Sequence, residues 1–309
     1  MAIARSRHCG AMRAPMAEFM HRQGGITTTS RLRSAFSARE IRLALEAGVI
    51  VRDARGCYSL PTALEVRRAA NRLHAVAVGR SAAAWWGWKI KNQPSRPELA
   101  VPRGRRVSPA DQHDHAIRWR TLAPEDVHHG LVTSPARTVT DCSVSLPFDE
   151  ALAVADSALR AGHVTRDELL EVAERVKRSG RLRALRVAQQ ADGRSMNPFE
   201  SVLRAVSLDV PGLALVPQLA VRVGGRTIHP DLADPGLRIV AEADSYEFHT
   251  TPRQIDIDCH RYTELTLDGW LVCRFSWPQT MHRQDWVRGV FARAVASRRT
   301  TTIASKPWG

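Results

Sequence analysis

Apolar residues recur at i, i+3, i+4 and i+7 after Ser37, where Ile41, Ala44, Leu45 and Gly48 share one face and Arg39, Arg42 and Glu46 point away from it. Ser37 and Glu40 have the spacing of a capping box, so the pattern predicts a helix that opens at Ser37. Ahead of it, a short helix around Met16 to His21, a turn at Gly24-Gly25 and a second short helix after the run Thr27 to Ser30 are expected. Behind it, Val49 to Arg52 and Cys57 to Leu60 read as two strands joined by the turn Asp53-Ala54-Arg55-Gly56. Three small helices and a basic hairpin predict a winged helix-turn-helix over residues 13–65, following a disordered lead at 1–12. Its third helix would enter a major groove and its hairpin would touch the backbone, with Arg39, Arg42, Arg52 and Arg55 as DNA-binding cations. A small helical module for protein contacts would leave the same arginines solvated.

Residues 72–190 carry a weaker pattern. His74 to Trp88 reads as a helix of small residues, Leu99 to Val101 and Ile117 to Trp119 as strands, and Ser134-Pro135 as the N-cap and first position of a further helix. Helices are expected at Phe148 to Arg160 and Thr165 to Val176, and the stretch Arg178 to Arg194, rich in arginine, glycine and glutamine, reads as a linker. Trp85, Trp86 and Trp88 could stack on bases, but aromatic residues at this spacing more often belong to a core. The spacing therefore predicts an α/β middle domain of undetermined role.

Residues 195–298 carry the chemistry, with 299–309 as a tail. Asn197-Pro198 opens a helix whose first turn holds Glu200 and whose apolar face is Phe199, Val202, Leu203 and Val206. Strands are expected at Val216 to Val223, Arg226 to Ala233 and Leu237 to Asp244, with turns at Gly224-Gly225 and Asp234-Pro235-Gly236. Alternation along the last strand puts Leu237, Ile239, Ala241 and Ala243 on one face and Arg238, Val240, Glu242 and Asp244 on the other. Folding the hairpin about Gly236 brings Asp231 opposite Glu242, so three carboxylates converge. Carboxylates this close require a cation between them. A hard divalent ion, Mg²⁺ or Mn²⁺, is the expected cofactor, held by Asp231 and Glu242. Glu200 could equally complete a capping box with Asn197.

Lysine and arginine number 45 against 31 acidic residues, a formal charge of +14 that favours a polyanionic partner, DNA before membrane. No stretch approaches the roughly 20 apolar residues of a spanning helix, and the basic N-terminus lacks the apolar core of a signal peptide, so a cytoplasmic protein is expected. The 5 cysteines are scattered and never in CxxC spacing, which argues against a disulfide framework and a zinc knuckle.

Two family resemblances extend this reading. The segment GGITTTSRLRSAFSAREIRLALEAGVIVRDARGCYSLP resembles the N-terminal winged-helix domain of AbiEi-type antitoxins, which implies a cognate toxin, of nucleotidyltransferase type, as a partner. The run HPDLADPGLRIVAEADSYEFHTT, with Glu200 before it and DCHRYTELTLDGWLVCRFSW after it, resembles the DUF559 domain, a branch of the PD-(D/E)xK nucleases related to the very-short-patch-repair endonucleases. That resemblance implies a restriction-endonuclease-like mixed sheet flanked by helices. It also implies catalytic roles for Asp231, Glu242, Asp244, His249 and Glu200, with Asp258 and Arg261 in support. The parent signature E-x-K reads Glu242-Ala243-Asp244 here, so its lysine is missing and His249 is the substitute. The fold class expected is therefore α/β (α+β). The function expected is DNA binding joined to metal-dependent phosphodiester hydrolysis, or, alternatively, an AbiEi-type antitoxin and transcriptional regulator whose nuclease-like domain no longer cuts.

Overall fold

In the computed structural model, which describes residues 15–244 and 252–304, Ser37 accepts from the backbone N–H of Glu40 while Glu40 returns a bond to the Ser37 N–H. That capping box starts α3 (Ala38–Glu46) as the spacing requires. Before it come α1 (residues 15–22), β1 (Ile26–Thr28) and α2 (Thr29–Arg33); after it come β2 (Val51–Ala54) and β3 (Cys57–Ser59). The strands pair in the order β1-β3-β2, antiparallel throughout, which is the sheet of a winged helix. Met16, Met20, Leu32, Ile41, Ile50, Tyr58 and Leu60 form its core.

Contacts divide the chain into two units, one of residues 1–87 and 93–138 and one of 88–92 and 139–309. In the first unit the winged helix continues into α4 (Glu65–Leu73), an element the sequence reading leaves out. Buried Asn71 donates to the carbonyls of Thr27 and Tyr58, and Val66, Ala69 and Ala70 enter the core of a second sheet. That sheet contains β4 (Val76–Ala77), β5 (Glu98–Val101), β6 (Ala116–Trp119), β7 (Val127–His128) and β8 (Val132–Thr133), in the order β6-β5-β4-β8-β7. The expected helix from His74 to Trp88 is corrected: His74 (φ 44°) and Gly79 (φ 57°) are left-handed, β4 lies between them, and only α5 (Gly79–Trp85) is helical. A short helix, α6 (Pro109–Asp114), precedes β6, and α7 (Pro135–Ser145) carries the chain from the first unit to the second.

The second unit contains α8 (Phe148–Arg160), α9 (Arg166–Glu174) and α10 (Arg178–Gln190). The expected linker is thus a helix. Gly180, Ala184, Val187 and Ala188 make a narrow buried stripe that compensates for the arginines, and Gly180 admits Val144 so closely that a Cβ would lie 2.9 Å from its methyls. The tryptophans are core or supported surface, since Trp88 is buried and donates to His163, and Trp86 donates to the Thr133 carbonyl.

The C-terminal sheet combines β9 (Val216–Pro217), β12 (Leu232–Asp234), β13 (Ile239–Asp244) and β14 (Leu271–Ser276) in the order β14-β13-β12-β9. β13 runs antiparallel to β12 and parallel to β14, the parallel step being made through α12 (Pro252–Leu267). A separate hairpin pairs β10 (Val221–Val223) with β11 (Arg226–Ile228). The two long expected strands are therefore each divided. Gln218, at φ 50°, ends the first piece, and His229-Pro230 separates β11 from β12. One sheet face meets α11 (Pro198–Ser207) and α14 (Gln284–Ala304) through Leu203, Val206, Ile239, Ala241, Phe275 and Phe291. The other meets α12 through Val240 and Leu265, and α13 (Trp277–His282) follows β14.

Candidate functional site

On the winged helix, Arg39 and Arg42 are exposed on α3, and Arg52 and Arg55 are exposed on the β2–β3 hairpin. Arg42 lies 3.8 Å from Glu46, a solvent-exposed i,i+4 pair that contributes little and that a phosphate can displace. Within this small domain the positions expected to carry positive charge therefore do present it to solvent.

The acidic cluster is built from two elements. The register Leu232↔Ala241 sets Asp231 beside Glu242, the Asp231 N–H lies 3.4 Å from Glu242 Oε2, and Ala243 N–H donates to Asp231 Oδ2 at 2.8 Å. Glu200 enters from the first turn of α11. Its N–H donates to Asn197 at 3.0 Å, and its carboxylate accepts from the Asn197 amide and the Met196 N–H, both at 2.8 Å. Glu200 thus acts as part of the helix cap, and it is also buried. Desolvation and the neighbouring Asp231 push Glu200 up to about 7 and Glu242 up to about 8. Burial raises Asp231 as well.

Arg261 reaches into this cluster from α12, donating to Glu242 Oε1 at 2.7 Å and to the His229 carbonyl at 3.2 Å. Asp244 accepts from Arg274 at 2.6 Å, and the Arg274 guanidinium lies over the ring of Tyr262. Glu200, Asp231, Glu242 and Arg261 are therefore brought together. Asp244 turns toward Arg274, Asp258 stands on α12 where its charge acts on Arg274, and His249 lies outside the described residues. Oxygen donors suit Mg²⁺ or Mn²⁺ in their chemistry. The Arg261 guanidinium already supplies a cation against Glu242.

Residues 75–187 match the AbiEi antitoxin C-terminal domain. The uncharacterized protein MT2308 of Mycobacterium tuberculosis (strain CDC 1551 / Oshkosh) is 32% identical over 214 residues, a span of 64% of this chain and 73% of that protein. The chain belongs to its family. The uncharacterized protein Rv2248 of strain H37Rv matches with the same identity and coverage. A crystal structure of the RV2827C protein from M. tuberculosis superposes with a TM-score of 0.31 at 14% identity, covering 62% of this chain and 80% of that one.

The AbiEi-type region runs from the residue before β4 to the last turn but one of α10. It begins at residue 75, beyond the segment 24–61 whose resemblance was read from the sequence, so the family match lies in the middle of the chain and does not cover the winged helix. Sequence reading also missed Arg68 and Arg72, which α4 presents on one side; their i,i+4 spacing between Glu65 and Leu73 was the available signal.

Proposed function

We propose that the protein is an antitoxin-type, DNA-binding regulator whose C-terminal domain is a nuclease-like scaffold. The observation that carries this reading is the AbiEi antitoxin C-terminal domain match at residues 75–187, directly after a winged helix with exposed arginines. In this reading the winged helix binds duplex DNA and the AbiEi-type region contacts a cognate toxin. The internal partners of the acidic cluster support a scaffold role for the last domain: Glu200 caps α11, Glu242 pairs with Arg261 and Asp244 pairs with Arg274. A gel-shift titration of the full chain against the DNA upstream of its own gene tests the proposal. Binding that weakens steeply with salt is expected, and failure to shift any duplex in a pool of promoter fragments would refute it.

A Mg²⁺- or Mn²⁺-dependent endonuclease is the second reading, favoured by the burial and raised pKa values of Glu200, Asp231 and Glu242, a pattern found at functional sites. Incubation with either ion and single-stranded, duplex or mismatched DNA is expected to leave every substrate intact. Cleavage that disappears in Asp231→Asn would put the endonuclease first.

A further inference from the structure

A cleft of about 640 Å³ opens in the first unit between the wing, α4 and the end of α6. Its size is that of a small-molecule site. One face of α4 lines it with Glu65, Arg68 and Arg72, while β2 adds Arg52 and Asp53. Arg96, Asp114 and His115 also line it.

Arg68, Arg72 and Arg96 are held before anything binds. Arg68 lies 2.8 Å from Asp53 and Arg72 lies 2.8 Å from Asp111, while Arg96 donates to the His113 carbonyl at 2.7 Å. Fixed guanidinium forks suit phosphoryl oxygens and lose little side-chain freedom when one arrives. His115 is buried with Nδ1 2.8 Å from the Asp111 carbonyl. A carbonyl can only accept, so Nδ1 carries the proton, and in the neutral ring Nε2 is an acceptor.

Charge balance narrows the ligand. Asp53 and Asp111 are neutralised by their arginines, Arg72 using Nη1 alone and so keeping its other N–H groups to donate. Among the described residues Arg52 and Arg96 have no ion-pair partner, and neither do Glu65 and Asp114. Asp53 Oδ2, in the same wall, is buried without a hydrogen-bond partner. An occupant that satisfies the cleft must therefore bring an anion for the arginines together with hydroxyl or amino donors for the carboxylates. A plain inorganic anion meets only half of that requirement, whereas a nucleotide meets both.

We infer that this cleft is a binding site for a nucleoside monophosphate, its phosphoryl group held by Arg72 and Arg96 and its sugar or base donors by Glu65 and Asp114. Because Arg52 belongs to both the cleft and the wing, an occupant would also weaken DNA binding; this consequence rests on the regulator reading, whereas binding itself does not.

Calorimetry on the full chain with AMP, GMP, adenosine and inorganic phosphate tests the site. At least one of the two nucleotides is expected to bind more tightly than phosphate, and adenosine is expected not to bind. Arg72→Gln and Arg96→Gln should each weaken the nucleotide by about 10- to 100-fold, the range of one charge-assisted hydrogen bond, with unchanged thermal unfolding. Arg181→Gln, on α10, should leave binding as it is. No heat from either nucleotide with folded protein would overturn the inference. So would equal binding of AMP, GMP and phosphate that the arginine variants do not alter, which would mean an adventitious ion only. A gel shift with and without AMP reads the DNA consequence separately: nucleotide binding with unchanged DNA affinity would leave the site standing and remove the link to the wing.

Discussion

Arg204 and Asp156 bury a full ion pair, in which both terminal nitrogens of Arg204 and both oxygens of Asp156 are hydrogen-bonded while Arg204 Nε is left without a partner. Arg204 Nη2 lies 2.8 Å from both Asp156 oxygens, its Nη1 donates to the Gln190 carbonyl at 2.6 Å, and the Asp192 N–H donates to Asp156 at 2.7 Å. Removing one partner leaves the other charge buried and uncompensated, which typically costs about 3–5 kcal/mol. Arg204→Met is therefore expected to destabilise the second unit by about that amount, read as a shift in its urea midpoint; an unchanged midpoint would mean that Asp156 is carried neutral. Glu242 makes a different prediction. Its pKa in the fold is about 8, well above the ordinary carboxylate value near 4.5, so the folded state binds a proton that the unfolded state has released between those limits. The contribution is fully present below about 4.5 and is lost as pH rises through about 8. Glu200, at about 7, acts in the same direction. Urea midpoints measured in chelator between pH 5 and 9 should fall with rising pH, and Glu242→Gln should flatten the upper part of that fall. A wild-type midpoint independent of pH would contradict the raised values.

Among elements, α10 shows how packing overrides a sequence that reads as a linker. Gly180, in the first turn of α10, is a weaker helix former than alanine by up to about 1 kcal/mol, so Gly180→Ala would stabilise an isolated helix. In the fold the added Cβ lies 2.9 Å from two methyls of Val144 and 3.3 Å from Val176, and overpacking of this kind costs about 1–3 kcal/mol. Gly180→Ala is therefore expected to lower thermal stability of the second unit, and a rise would show that Val144 moves aside freely. The elements legible in the sequence were those with local signals. The capping box at Ser37, the Asn197-Pro198 opening of α11 and the alternation along β13 each act within a few residues. What stayed hidden depends on distant partners. α4 begins without a side-chain cap, and Asn71, an unpromising helix residue, is held there by carbonyls from two strands of the winged helix. β4 is two residues long and exists only between β5 and β8. In the acidic cluster, the hairpin about Gly236 foretold that Asp231 and Glu242 would meet, but not that Arg261 would reach across from α12 to Glu242.

For the whole molecule, the formal charge of +14 favours a polyanion without saying which surface meets it. The winged helix offers a testable division of labour. Arg39 and Arg42 stand on α3, the helix that would enter the major groove, while Arg52 and Arg55 stand on the hairpin that would follow the backbone. A backbone cation adds affinity on every sequence and releases about one counterion, whereas a groove cation also reads base edges. Arg52→Ala and Arg55→Ala in the full chain should each weaken binding by a similar factor on all duplexes. Each should also reduce the slope of log K against log salt by about 1. Arg39→Ala and Arg42→Ala should instead narrow the difference between the best site and unrelated DNA, since loss of a base contact costs about 1–3 kcal/mol at its own position and nothing elsewhere. Fluorescence anisotropy at several salt concentrations, with one preferred and one scrambled duplex, measures both quantities. Equal, sequence-independent losses in all four variants would mean that α3 follows the backbone and does not read the groove. Unchanged slopes in all four would move the DNA surface off the winged helix altogether.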